Sequence, residues 1–253
     1  MKIEHAYILH INDANSLSYM EECKASCEQY NIPVTPFLGL MLPTTTSHIK
    51  DVWGFNVNPV VDQKAKIDPV FEVWFKEQLC LTGHMAIWKL IAENHVGAVA
   101  VFEHDAIVKR NFLEVDVQDG EIAFLGYRVD HRDDYECVED PFVKHSVSKF
   151  EGTHGYAITP WTARACLNAL NNVDMLPLGV SIDHMLGIRN LFNLKMNVVD
   201  PAPLVAVVED KISYTQPENK VARYNMIPHD GFLKGIKNHE KYKVDYKNNW
   251  LTF

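Results

Sequence analysis

Glu103-His104-Asp105 follows a five-residue apolar run, Ala98-Val99-Ala100-Val101-Phe102, that shows no polar alternation. Such a run suits a strand covered on both faces. Ligands of open α/β sheets sit at the carboxyl ends of strands, so acids at this place are candidates for metal binding or catalysis. In an extended segment residues i and i+2 share one side. Glu103 and Asp105 would then approach one hard divalent cation, with water and phosphate oxygens completing its shell. The same pair also suits a solvated strand-to-loop junction. A second acid, Asp183, follows Ser181, which fits a helix cap. An acid in a first helical turn is favoured by the helix dipole on stability grounds alone.

These acids need elements to hold them. His84, Ile87, Trp88 and Ile91 fall at i, i+3, i+4 and i+7, the spacing of one helix face. Asn94, His95 and Gly97 supply stop and turn signals before the strand at 98–102. Upstream, residues 6–11 read as a first buried strand. A helix capped by Ser16 or Ser18 is expected to run to about Tyr30, followed by a proline-punctuated strand at 32–37 that belongs near a sheet edge. This β-α-β opening contains neither GxGxxG nor GxxxxGK[ST], so dinucleotide and P-loop chemistry are not signalled. Residues 39–68 lack a clear period and read as a functional loop, such as a lid that orders on ligand binding, or as an insertion. Asp68-Pro69 fits a helix start with Phe71, Trp74, Phe75 and Leu79 on its apolar face. Further strands are expected at 121–127, 156–159 and 196–199, with a helix opening at Pro160. Residues 128–149, rich in charge around Arg128, His131 and Arg132, read as a solvated connection or a substrate loop. A histidine on an apolar helix face, as at His84, is the usual mark of a hydrogen-bonded core residue.

With 253 residues, 47% hydrophobic and 23% charged, the chain suits one α/β domain with a modest appendage. Residues 1–209 are expected to form that domain and 210–253 an extension packed on it. The formal charge of -9, from 33 acids against 24 bases, argues against a broad nucleic-acid footprint. No stretch reads as a secretory leader or a membrane span, and five scattered cysteines suit reduced thiols. A cytoplasmic protein is the expectation.

The segments, in order, resemble the family 25 glycosyltransferases, the lipooligosaccharide and collagen galactosyltransferases. The resemblance rests on Leu79-Cys80-Leu81-Thr82-Gly83-His84 with Trp88 after it, on the strand ending in Glu103-His104-Asp105, on Gly152-Thr153-His154-Gly155-Tyr156, and on Ile182-Asp183-His184 before the strand and prolines of 198–203. It covers about half the chain. His104 replaces the family's middle acid, Gly83 its serine, and no arginine precedes Arg110 where the family carries several.

The resemblance implies a GT-A-type fold, a mixed and mostly parallel sheet with helices on both faces. It implies a metal-dependent, inverting transfer of galactose or glucose from a UDP-sugar to a glycan or other acceptor hydroxyl. Glu103, Asp105 and His184 would hold Mn²⁺ or Mg²⁺, Asp183 would be the general base, and His84, Thr153 and His154 would contact the donor. His229 is a further candidate metal ligand. A silent sugar- or nucleotide-binding module on the same fold is the competing expectation.

Overall fold

The computed structural model describes residues 1–129, 131–150, 152–171, 176, 181–207 and 234–237. The expected boundary at 209/210 and His229 lie outside them. The chain opens with strand β1 (Ile3–His10), helix α1 (Ala14–Gln29) and strand β2 (Val34–Leu38). Helix α1 is capped by Asp13, whose carboxylate accepts from Asn15 N and Ser16 N. The expected serine caps are therefore replaced by the acid just upstream. Ser16 is buried instead, and its hydroxyl accepts from Ile11 N at 3.0 Å.

Residues 39–68 hold two short helices, α2 (Thr46–Trp53) and α3 (Pro59–Ala65), where a loop was expected. Thr45 and Asn58 cap them, and Ile49 and Val61 are fully buried. Helices of eight and seven residues fall short of the window of roughly 11–18 residues over which helical periodicity is read. The two helical segments expected downstream are one 26-residue helix, α4 (Pro69–Asn94), whose first turn is held by the Asp68 carboxylate accepting from Val70 N. Strand β3 (Ala98–Glu103) follows, then β4 (Ala106–Val108), β5 (Glu121–Phe124), β6 (Gly126–Val129), β7 (Val143–Ser146), β8 (Gly155–Ile158), α5 (Pro160–Asn171), β9 (Lys195–Asp200) and β10 (Leu204–Val207).

Seven strands form one mixed sheet in the order β2-β1-β3-β8-β5-β9-β7. Pairings β2-β1, β1-β3 and β5-β9 are parallel, and those flanking β8 and joining β9 to β7 are antiparallel. Pro36 of β2 lies on an edge strand, as expected. β3 sits between β1 and β8 with both edges paired, and a core packs on each of its faces. Val99 and Val101 join the core under α4 and α5 with Trp88, Ile91 and Tyr156. Ala98, Ala100 and Phe102 join the opposite core with Met20, Cys23 and Cys27 of α1. Each such large apolar side chain contributes about 1.5–3 kcal/mol on burial.

The strand expected at 121–127 is split between sheets. β5 belongs to the large sheet, and β6 pairs with β10 in a smaller one ordered β4-β10-β6. The switch is made at Gly126, where a side-chain Cβ would lie 1.7 Å from Leu204 O. Among the described residues no helix is long and apolar enough to cross a membrane.

Candidate active site

Strand β3 delivers Glu103 to its carboxyl end, and the Glu103 N–H donates to His154 O at 3.0 Å. This bond draws the loop before β8 over the strand end. Gly152 N and Thr153 N in that loop donate to Asp183 Oδ1 at 3.2 and 2.8 Å. Thr153 Oγ1 lies 2.9 Å from the same oxygen and 3.1 Å from Glu103 Oε1. One hydroxyl therefore spans two carboxylates from distant parts of the chain.

Asp183 reaches this position because the single π-type turn His184–Ile188 abuts the loop. A Cβ on Gly187 would lie 2.0 Å from Phe150 O, so glycine permits the approach. Ser181 Oγ accepts from His184 N at 3.3 Å, the expected cap. Asp183 Oδ1 thus serves three donors.

A hydroxyl carries one proton and cannot donate to two carboxylates at once. The other contact then needs a proton carried by one of the two carboxyl groups. Burial pushes Glu103 up to about 8, and the charges of Asp105 and Asp183 push the same way, against Arg128 and the Thr153 hydrogen bond. Glu103 thus holds its proton near neutral pH.

Asp105 does not lie on an extended segment with Glu103. His104 and Asp105 form the turn between β3 and β4, a correction to the i, i+2 geometry expected. Asp105 still bears on Glu103 electrostatically, and its Oδ1 is buried with no hydrogen-bond partner. The His104 ring stacks on Tyr19 of α1, centroids 5.8 Å apart.

His84 is fully buried beneath the strand end. Its Nδ1 lies 2.9 Å from the Tyr156 hydroxyl, which also accepts from Trp88 Nε1 at 2.7 Å. Its Nε2 is 3.9 Å from Glu103 Oε1 and makes no hydrogen bond. His154 is buried with both ring nitrogens unpartnered. Burial lowers both histidines to about 4; Asp183 opposes the shift at each, and Arg128 reinforces it at His154. Both rings are neutral at pH 7.

Of the expected site residues, Glu103, Asp105, Asp183, Thr153, His154 and His84 converge on one centre. His184 stands apart. Its Nδ1 lies 2.9 Å from Ser181 Oγ, and the charges it feels are Arg189, Asp183 and Lys149. Among the described residues the ligand atoms of Cys80, His84 and Glu103 come within 4.8 Å of one another, a set that includes neither Asp105 nor His184. Sequence reasoning gave Arg128 no site role of its own, placing it in a segment read as a solvated connection or a substrate loop; β6 carries it toward Glu103 and His154. It also passed over Cys80, although Cys80 and His84 stand at i, i+4 on α4.

Fold and site together define a mixed α/β protein with an acidic centre at the carboxyl end of an inner strand. Residues 62–186 match the family Glycosyltransferase family 25 (LPS biosynthesis protein). Over this region, which holds α4, β3, Thr153 and Asp183, the chain belongs to glycosyltransferase family 25. Two crystal structures of the glycosyltransferase GlyE from Streptococcus pneumoniae TIGR4 are similar at 10% identity. The apo form gives a TM-score of 0.36 over 77% of this chain and 45% of that one, the other 0.40 over 87% and 57%. The chain spans about half the length of these two. No curated protein matches the sequence.

Proposed function

We propose that the protein is an inverting, metal-dependent glycosyltransferase that moves galactose or glucose from a UDP-sugar to a hydroxyl of a glycan or other acceptor. The observation that carries this reading is the meeting of Glu103, Asp105 and Asp183 at the carboxyl end of β3, joined through Thr153. The donor set fits a hard cation: oxygen ligands, one of them a buried Asp105 Oδ1 without a partner. Asp105 and Glu103 would hold Mn²⁺ or Mg²⁺, which when bound neutralises charge on a departing diphosphate. Arg128 adds a fixed positive charge on the same side, in a chain with no arginine before Arg110. Asp183 Oδ2 takes the acceptor hydroxyl proton, while the three donors on Oδ1 fix the carboxylate in position.

Those three donors also favour a second reading, a nucleotide-sugar-binding module in which Asp183 only ties the loop to the turn. Calorimetric titration with UDP in the presence and absence of Mn²⁺ tests the metal assignment. Asp105→Ala is expected to abolish the Mn²⁺-dependent part of UDP binding while leaving the fold intact. Undiminished Mn²⁺-dependent binding in that variant would remove Asp105 from the metal site. Release of UDP from UDP-galactose or UDP-glucose by the wild type then separates enzyme from module.

A further inference from the structure

The cluster beneath the hard-cation site has a different chemistry. Cys80 and His84 are one turn apart on α4, so both side chains leave the same face of a rigid helix. Glu103 meets them from β3, and one ligand atom of each lies within 4.8 Å of the others. His84 is 0% exposed, yet its Nε2 has no hydrogen-bond partner and is aimed at Glu103 Oε1 3.9 Å away. A buried polar atom left without a partner is destabilising. Its retention at the meeting point of a thiol and a carboxyl points to a ligand that would use all three.

We propose that Cys80 Sγ, His84 Nε2 and Glu103 bind a thiophilic divalent cation of the Zn²⁺ class, with a fourth position left to a non-protein ligand. Tetrahedral zinc sets neighbouring ligand atoms roughly 3.4–3.6 Å apart, given its bond lengths to nitrogen, oxygen and sulfur. The His84–Glu103 spacing of 3.9 Å is already close to that edge. Metal-bound histidines almost always donate their other ring N–H to an outer partner. Tyr156 is built for this role. Its hydroxyl can donate to Nδ1 or accept from Nδ1–H, and Trp88 Nε1 holds it in place. On binding, the Cys80 thiol proton and the Glu103 carboxyl proton leave to solvent as the metal–sulfur and metal–oxygen bonds form, and the imidazole proton resides on Nδ1 facing Tyr156. A sulfur ligand selects against Mg²⁺ and Mn²⁺, so the two sites differ in metal but share Glu103. Zinc-class occupancy therefore opposes use of Glu103 by the hard cation. This last consequence rests on the proposed glycosyltransferase reading; the metal site itself does not.

Cobalt titration of the full chain tests the site directly, since Co²⁺ replaces zinc and a thiolate ligand gives it an intense near-ultraviolet charge-transfer band. The wild type should develop the band at one equivalent, lose it to Zn²⁺, and keep it in a tenfold excess of Mg²⁺. The near-isosteric Cys80→Ser should lose the band, and His84→Gln should weaken Co²⁺ binding at least tenfold. Cys137→Ser, removing the exposed thiol, should leave the band unchanged. Absence of the band in the wild type, or its loss in Cys137→Ser but not in Cys80→Ser, would overturn the proposal. Should Cys80→Ser fail to fold, alkylation of the wild type mapped by mass spectrometry replaces it: Zn²⁺ must protect Cys80, and equal labelling with and without Zn²⁺ refutes the site. A cobalt band in a protein without UDP-sugar activity would sink the enzymatic reading and leave this one standing. UDP-sugar activity without a band would do the reverse.

Discussion

Two glutamates, Glu103 and Glu121, sit in the same sheet and are served in opposite ways. Glu121 is 1% exposed, and both its oxygens are occupied. Lys144 Nζ donates to Oε1 and Oε2 at 2.7 and 2.8 Å, Asn197 Nδ2 to Oε1 at 2.8 Å, and Gln118 N to Oε2 at 2.9 Å. Ser146 closes the network by donating to Asn197 Oδ1. Glu103 has one hydroxyl as partner, and that hydroxyl is shared with Asp183. Its other near neighbours are another acid, an unpartnered imidazole and a thiol. A buried charge must be paired and hydrogen-bonded or it is destabilising. Glu121 obeys that rule and ties β5 to β7 and β9. Glu103 instead meets burial by keeping its proton, which marks a place completed by something other than the chain.

The sharpest test of this contrast is catalytic. In Asp183→Asn the retained Oδ1 still accepts from Gly152 N and Thr153 N, while Oδ2 is replaced by a group that cannot take a proton. Transfer should fall by roughly 10²–10⁴-fold, the usual worth of general-base catalysis, with Mn²⁺-dependent UDP binding preserved. Near-wild-type turnover would reduce Asp183 to a structural tie and move the carboxylate centre toward the Glu121 kind. The Glu121 side is probed by stability instead. Lys144→Met leaves a buried carboxylate without its cation and should destabilise the fold by about 3 kcal/mol, at the lower end for a broken buried pair because Lys144 is partly exposed. Urea unfolding measures this directly. A loss below about 1 kcal/mol would mean that water reaches Glu121 as freely as a surface pair.

How much of this was legible before folding depended on the range of the signal. β3 was readable because its burial on both faces leaves a continuous apolar run, and the face of α4 because three turns repeat one spacing. Glu103, Thr153 and Asp183 were each found through ordered motifs, but no periodicity states that one hydroxyl bridges two of them. That contact depends on Gly187 meeting Phe150 O, a packing event between segments distant in sequence. The helices α2 and α3 were missed because each is shorter than the window in which amphipathicity declares itself. Asp13 lost the cap assignment to two serines although Asp and Ser cap equally well. Arg128 was hidden by its charged neighbours, and its role rests on the passage from β5 to β6 at Gly126, which a uniform strand reading erases. Among the proposed metal ligands, His184 was placed by adjacency to Asp183, yet neighbours on a helical turn point in different directions.

The smallest effect separates the two glutamates by pH alone. Glu103 holds its proton to about 8 in the fold against an ordinary 4.5, so between those values the folded chain carries a proton the unfolded chain lacks. Its contribution to stability therefore declines as pH rises through that window. His84 and His154 act with the opposite sign: lowered from 6.5 to about 4, they bind protons only on unfolding, and stability rises with pH between those values. From 4.5 to 6.5 two rising contributions outweigh one falling one; from 6.5 to 8 only that of Glu103 remains. With divalent cations removed by chelation, wild-type stability should decline over that upper interval relative to Glu103→Gln. The 24% of the Glu103 side chain open to solvent moderates the penalty, and a difference of about 1 kcal/mol corresponds to roughly 2–4 °C in Tm for a chain of this size. Adding Mn²⁺ should erase the decline, because the cation replaces the proton. A wild-type decline matched by Glu103→Gln would place the titration elsewhere and leave Glu103 no different from Glu121.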